Sequence, residues 1–369
     1  MDGKKFGFVG IGQCGIAQVS EFKGEFLSYY VTSSIEDLQS VGSIKDLHYF
    51  HMKNMDGKKG NGSHKEREAS KEYLAANYED ILEELGRYLG EAEYIFLFSS
   101  LGGGTGSGSC AYLANLIEEQ MHKKVIIVAT MPAFSESIQA KTNAYEALKE
   151  LNEIAEHAVF IVDNNKMSDY AKSNAILAKT LTAVITDVSN SIDGVFDQSE
   201  ICYMLEQKGY AMAMLIKRKQ THIDVTPFIK DALRGTGACE GDNIFVDLEK
   251  TEGYYYMGLK VSAARKNVKI DNEELQREFG YWKDCFVGYQ TKKDVAFVSG
   301  MNFPATTIEK LYQEIKENNE KIEKDLAKRK VFEFKDDLGI KTEVPKTTTT
   351  KTSENTVSVL ERLKSMSRK

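Results

Sequence analysis

Residues 99–108 read Ser-Ser-Leu-Gly-Gly-Gly-Thr-Gly-Ser-Gly, five glycines around one threonine, set between an apolar strand candidate at 94–99 and a helix candidate at 109–120. Without Cβ atoms the backbone N–H groups of such a turn are free to point at an anion, and the helix beyond it adds its positive end. This is the one segment that most narrows the fold, because it demands strand, anion-facing turn and helix in immediate succession. No lysine follows the glycines, so it is not the GxxxxGK[ST] phosphate loop. Strand and helix signals abut it on both sides, which argues against a flexible linker. The arrangement occurs earlier as well: a strand at 5–9 runs into Gly10-Ile11-Gly12-Gln13-Cys14-Gly15, with a helix start at 16–22. That spacing fits the dinucleotide fingerprint, with Glu36 or Asp37 where a ribose-binding acid would sit. Its specificity is low, since any strand-to-helix turn against a phosphate favours glycines there.

The rest of the chain alternates in the same way. A second strand at 28–32, a polar loop at 54–64, a helix at 65–89, a strand at 124–129, a helix at 137–156, a strand at 158–162 and a long helix at 170–192 predict an α/β protein with a mostly parallel sheet covered on both faces. Beyond Asp197 the strand candidates 210–219, 254–263, 285–290 and 295–301 and the helices 226–233 and 272–279 predict a smaller α/β unit. A helix at 307–329 carries Ile308, Leu311, Ile315, Ile322 and Leu326 on one stripe, which can dock on the body. Residues 341–369 hold a Thr run and seven Lys/Arg against three Glu, the composition of a disordered basic tail. The expected division is a nucleotide domain at 1–169, a connecting helix at 170–193, a second domain at 194–305, a carboxy-terminal helix and extension at 306–340, and the flexible tail at 341–369.

Composition bounds the function classes. With 369 residues, 42% of them hydrophobic, the chain can bury a sizeable core, and no apolar run approaches the roughly 18 residues of a membrane span. Five cysteines at scattered spacing, without a CxxC pair, point to free thiols in a reducing cytoplasm rather than a zinc site or a disulfide framework. A net charge of -7 disfavours nonspecific nucleic-acid binding by the body. The six histidines show no relay suited to hydride transfer, which leaves a nucleotide-dependent oxidoreductase as the remote alternative.

The loop Gly102-Gly103-Gly104-Thr105-Gly106-Ser107-Gly108 resembles the signature of the tubulin/FtsZ family, and further likenesses follow in chain order from about residue 5 to about residue 212. The resemblance implies a Rossmann-like GTPase domain binding GTP or GDP with Mg2+, whose phosphates are held by Gly12, Gln13 and Cys14 and by Gly102, Gly103, Gly104, Thr105, Gly106 and Ser107. Gly60-Asn61-Gly62-Ser63 resembles the loop that senses the γ-phosphate. Glu136, after Pro132, resembles the Glu that meets the ribose; the family's Arg four residues later is Ala140 here, with Lys141 the candidate substitute. Asn164 stands where the family has a guanine-binding Asn. Tyr170 and Asn174 are one helical turn apart and share a face, and the resemblance has them stack on the base and bond its edge. The acid of the FtsZ pattern Asn-Thr-Asp is Ser34 in Thr32-Ser33-Ser34. Taken singly, Tyr170 is equally a core filler, Asn164 a turn former and Glu136 a cap; order and spacing lift them together. The resemblance leaves the Mg2+ ligands unknown.

Asp197 and Glu200 lie at i and i+3 at the amino end of a helix running to about residue 207, so both carboxylates can address one water or cap the helix. By resemblance the pair falls on the family's catalytic loop, with Asp193 a nearby alternative. In that fold the nucleotide loops and this acidic turn sit at opposite ends of the subunit, which implies hydrolysis only when one copy stacks head to tail on another. Within the family the likeness is greatest to the TubZ branch, which moves plasmid or phage DNA in bacteria, with an FtsZ-like division protein as the alternative. The TubZ likeness implies that the tail recruits a DNA-binding adaptor of TubR type, that DNA is held mainly indirectly, and that no membrane is involved.

Overall fold

The computed structural model describes residues 5–22, 24–187, 194–239, 243–249 and 255–328. Asp193, the last turn of the helix expected at 170–192 and the tail at 341–369 lie outside them. Strands β1 (Phe6–Ile11), β2 (Leu27–Thr32), β3 (Tyr49–His51), β4 (Tyr94–Ser100), β5 (Lys124–Met131), β6 (Ala158–Asp163) and β7 (Gly209–Leu215) run parallel in the order β3-β2-β1-β4-β5-β6-β7. The sheet continues without a break into β10 (Val295–Met301), β8 (Tyr255–Val261) and β9 (Trp282–Tyr289), with β10 antiparallel to both neighbours and β9 parallel to β8. The central strands are apolar through their middles: Ile95, Phe96, Leu97 and Phe98 of β4 are all buried, as a strand covered on both faces requires.

Helices α1 (Gly12–Ser20), the short α2 (Glu36–Gln39), α3 (Arg67–Leu89), α4 (Thr105–Met121), α5 (Ile138–Ile154) and α6 (Tyr170–Thr186) belong to the parallel part. Helices α7 (Gln198–Leu205), α8 (Thr226–Arg234), α9 (Asn272–Phe279) and α10 (Ala305–Lys328) follow. Two helices start earlier than the pattern predicts, α1 at Gly12 and α4 at Thr105. Glycine is a poor helix former, which hides these starts from a propensity reading. The reason for glycine is contact: a Cβ on Gly15 would sit 2.2 Å from Phe98 O, one on Gly106 2.4 Å from Ser99 Oγ, and one on Gly108 2.4 Å from Arg67 O. The helices press on the strand ends and on α3 at backbone distance.

Two joints position the site. The parallel and antiparallel parts meet at β6 and β7, which share only Ala158↔Gly209, Val159↔Tyr210 and Phe160↔Ala211. Where these strands part, residues 244–246 fill the opening: Asp163 N–H donates to Ile244 O at 2.8 Å, Val246 N–H to Ile161 O at 3.0 Å, and Tyr210 Oη to Val246 O at 2.6 Å. The second joint is the carboxy end of α6. Lys260, fully buried on β8, donates from Nζ to Ala183 O (2.9 Å), Val184 O (2.6 Å) and Asp187 O (2.5 Å), filling helix-end carbonyls with a cation. The Asp187 carboxylate accepts the Lys292 and Lys293 N–H groups at 2.9 and 2.8 Å.

Two expectations change. The strand predicted to residue 219 stops at Leu215, and Arg218 turns to pair with Asp294 at 2.7 Å. The apolar stripe of α10 docks only in its first half: Leu311 and Ile315 are buried, whereas Ile322 and Leu326 are exposed.

Candidate active site

In a doubly covered parallel sheet, ligands bind in the crevice beyond the carboxyl ends of the strands. Here a cleft of about 730 Å³ opens there, lined by Gln13, Cys14, Glu136, Asn164, Tyr170 and Asn174. Those six, predicted from separate stretches of sequence, meet in one place, and the volume falls within the ~300–1,000 Å³ of small-molecule pockets. Gln13 and Cys14 are the first turn of α1, Asn164 follows β6 directly, and Tyr170 and Asn174 are the first turns of α6. Asp169 caps α6, accepting the Lys172 N–H at 3.1 Å. The aromatic ring of Tyr170 is held at the cleft with 48% of the residue exposed, so it is no core filler. Burial raises its phenol, and Glu136 and Cys14 across the cleft add to the rise. Desolvation likewise pushes the Cys14 thiol up to about 11, against a hydrogen bond with Thr130 that lowers it.

The phosphate-loop residues divide by orientation. Gly12 takes φ +64°, a conformation that favours glycine, and lies against Thr105, which joins the two turns. Gly103 borders open space, with nothing within 4 Å of an added Cβ. Gly102 packs on Pro132, Gly104 on Ser63 and Gly106 on Ser99. The Ser107 hydroxyl turns back to the Gly103 and Gly104 carbonyls, so it shapes the turn and does not reach outward. Gly60 is buried against Ser33 O and Asn61 is exposed; neither lines the cleft, and their loop reaches α4 through Ser63, whose Oγ is 3.2 Å from Thr105 Oγ1. Glu136 accepts the Ala133 N–H at 3.0 Å, holding its own loop while facing the cleft. Lys141 does not substitute for the missing Arg: it is buried and pairs with Glu314 of α10 at 3.3 Å.

Several lining residues escape a motif reading, among them Ser20, Glu21, Ser40, Ser100 and Thr130. Ser100 and Thr130 stand at the ends of β4 and β5, where strand-end position alone marks them. Among the described residues no Lys or Arg lines the cleft, and two glutamates do. An anion there depends on backbone amides and helix ends. Among the described residues no group of three or more His, Cys, Asp or Glu is placed to hold a metal.

Asp197 and Glu200 are not in the cleft. They form a capping box: Asp197 Oδ1 accepts the Ser199 N–H at 2.7 Å and Glu200 Oε2 accepts the Asp197 N–H at 2.9 Å. Contact with the Glu200 side chain, then the Ser199 N–H, holds the Asp197 carboxyl below the usual aspartate range. Just beyond α7, Glu206 pairs with Lys124 and accepts from Tyr94 Oη at 2.5 Å, at the first residues of β4 and β5. The carboxy end of the helix, opposite the acidic pair, is therefore anchored at the amino-terminal edge of the sheet, away from the cleft.

A doubly covered parallel sheet with a crevice beyond its strand ends, lined by the first turns of α1 and α6, is the architecture of a ligand-binding α/β protein, and residues 5–172 match the Tubulin/FtsZ family, GTPase domain. Over those residues the chain is similar to the tubulin/FtsZ family. It is 22% identical over 321 residues, 85% of its own length and 83% of the other's, to the tubulin-like protein TubZ of Clostridium botulinum C phage. The crystal structure of Clostridium botulinum phage c-st TubZ superposes with a TM-score of 0.70 at 21% identity, covering 86% of this chain and 99% of that one. CetZ2 from Haloferax volcanii, solved as a GTPgS-bound protofilament, superposes at 0.68 with 20% identity, covering 85% and 99%. Among the described residues no helix is long and apolar enough to cross a membrane.

Proposed function

We propose that this tubulin-like GTPase hydrolyses GTP only between stacked subunits, and that its filaments move plasmid or phage DNA. The observation that carries the reading is the separation just described: six ligand-facing residues in one cleft, and the acidic pair on a helix anchored at the other edge. In this account the amides of Gly12, Gly103 and Thr105 and the positive ends of α1 and α4 hold the phosphates. Tyr170 stacks on the base, and Asn164 and Asn174 read its edge. Mg2+, bound with the triphosphate, offsets its charge. Asp197 and Glu200 of the next copy orient and polarise the attacking water; to do so Glu200 exchanges its bond to the Asp197 N–H for one to water. The protofilament form of the CetZ2 relative supports such stacking.

The wider role rests on the TubZ likeness and on the basic composition of 341–369, which would recruit a DNA-binding adaptor of TubR type and leave DNA contacts mainly indirect. Free thiols at Cys14, Cys110, Cys202, Cys239 and Cys285 suit the bacterial cytoplasm. Phosphate release measured against protein concentration tests the enzymatic claim: the rate per subunit rises steeply where light scattering reports assembly. A rate per subunit unchanged on dilution below that point sinks it. Deleting residues 341–369 is expected to keep hydrolysis and abolish co-sedimentation with adaptor-bound DNA. Tagged protein that settles in a midcell ring instead of mobile filaments would favour the division reading.

A further inference from the structure

The first turns of α10 lie against a loop that forms the lip of the cleft. Lys310 places Nζ 4.4 Å from the centre of the Phe134 ring, a separation at which the ring face attracts a cation. Phe134 belongs to the turn at 132–136, and its N–H donates to Asn165 Oδ1 at 2.7 Å. Asn165 is itself fixed to Asp163, whose Oδ1 accepts its N–H at 2.9 Å and its side-chain amide at 2.7 Å. The turn and the loop after β6 are thus tied to each other, and each carries a residue that lines the cleft: Glu136 on the first, Asn164 on the second. The helix that brings Lys310 here is firmly seated. Leu311 and Ile315 are buried on the body, Glu314 pairs with the buried Lys141 of α5 at 3.3 Å, and the Thr306 N–H donates to Glu249 Oε1 at 2.9 Å.

The turn needs such a hold from outside. Within itself it is closed by the bond from the Ala133 N–H to Glu136, and at its start Pro132 packs on Gly102. Between these points Ser135 is exposed and Phe134 only half-buried. A ligand in the cleft leaves past Glu136, and Glu136 cannot swing far outward without drawing Phe134, two residues away, off the Lys310 ammonium. Because α10 is packed along α5, that ammonium is presented by a rigid element and not by a loop, so little side-chain freedom is lost in making the contact. We propose that Lys310 and Phe134 are positioning residues that strap the lip of the cleft to α10 and so slow the release of a bound nucleotide. This deepens the reading of the cleft as a guanine-nucleotide site and rests on it.

The test is the dissociation rate of a fluorescent GDP analogue, chased with excess GDP at protein concentrations below assembly. Lys310→Gln and Phe134→Leu are each expected to raise the rate roughly threefold, the worth of one exposed cation–π contact. The double variant goes no further, because both changes remove the same contact. Lys310→Arg keeps a cation over the ring and holds the wild-type rate. Lys321→Gln, which removes a charge from the exposed half of α10, holds it as well. An unchanged rate in Lys310→Gln, a double variant in which the two effects multiply, an arginine variant as fast as the glutamine one, or the same acceleration in Lys321→Gln overturns the inference. If Phe134→Leu does not fold, the comparison of Lys310→Gln with Lys310→Arg decides. Wild-type protein that binds no guanine nucleotide overturns the guanine-nucleotide reading itself.

Discussion

Tyr170 stands at the cleft with about half of its surface, 48%, exposed, and nothing in the packing of the core calls for a large aromatic ring there. On the proposed reading Tyr170→Ala removes a stacking platform worth about 1–3 kcal/mol, so GTP affinity measured by fluorescence titration falls roughly tenfold or more while the unfolding midpoint stays put; unchanged affinity would remove Tyr170 from the site. Lys260 makes the opposite case, a charged group with no exposure at all. Burial lowers its ammonium to about 8, with Asp187 opposing the fall. Between about 8 and the ordinary 10.5 of a free lysine, the unfolded chain binds the proton that the folded chain has released. Stability from this group therefore rises with pH across that window, by an amount on the order of 3 kcal/mol. Urea unfolding of wild type and Lys260→Met from pH 7.5 to 10.5 should show the difference moving in favour of the wild type as pH increases, and a flat difference contradicts the assignment.

At the scale of elements, the sequence shows strands and most helices directly, because buried parallel strands are continuous apolar runs and α3 repeats Leu74, Ile81, Leu85 and Leu89 at helical spacing. What it conceals is the start of α1 and α4, where glycine serves close approach and not flexibility. The same ambiguity runs through the site: Gly103 and Gly106 look alike in sequence, yet one faces open space and the other a strand end. Gly15→Ala forces a methyl to 2.2 Å from Phe98 O and is expected to cost about 1–3 kcal/mol. Gly103→Ala meets no atom and should leave the denaturation midpoint within about 0.5 kcal/mol of wild type, while weakening the triphosphate by crowding the turn. Thermal scans and nucleotide titrations on the two variants separate packing glycines from ligand-facing ones. The residues lining the cleft were legible through the family resemblance, which picks out Asn164, Tyr170 and Asn174 in chain order; singly, none of them carries that signal. The packing of Ser33 and Ser63 on Thr105 was not legible, since a serine carries no sign of the hydroxyl it will face until β2 and the loop at 60–63 are brought to α4.

For the whole molecule, the proposed pairing of one copy's cleft with the next copy's acidic turn makes any stack heterologous, with unlike faces in each junction. Mixing Tyr170→Ala with Glu200→Ala should then restore part of the phosphate release that each lacks alone, since a junction formed by the intact cleft of one and the intact acids of the other is complete. No gain over the separate rates would mean that each copy works by itself. The narrow join between β6 and β7 adds a mechanical side to this. Residues 244–246 are wedged in the crotch of a fork, bonded to Asp163 and Ile161 on one tine and to Tyr210 on the other. Asn164 is the next residue along the first tine. Any push on the wedge from the far half of the protein is delivered to the spot where a purine edge would be gripped, so a tug on one face of the subunit can loosen or tighten the hold on the other without either half changing its own shape.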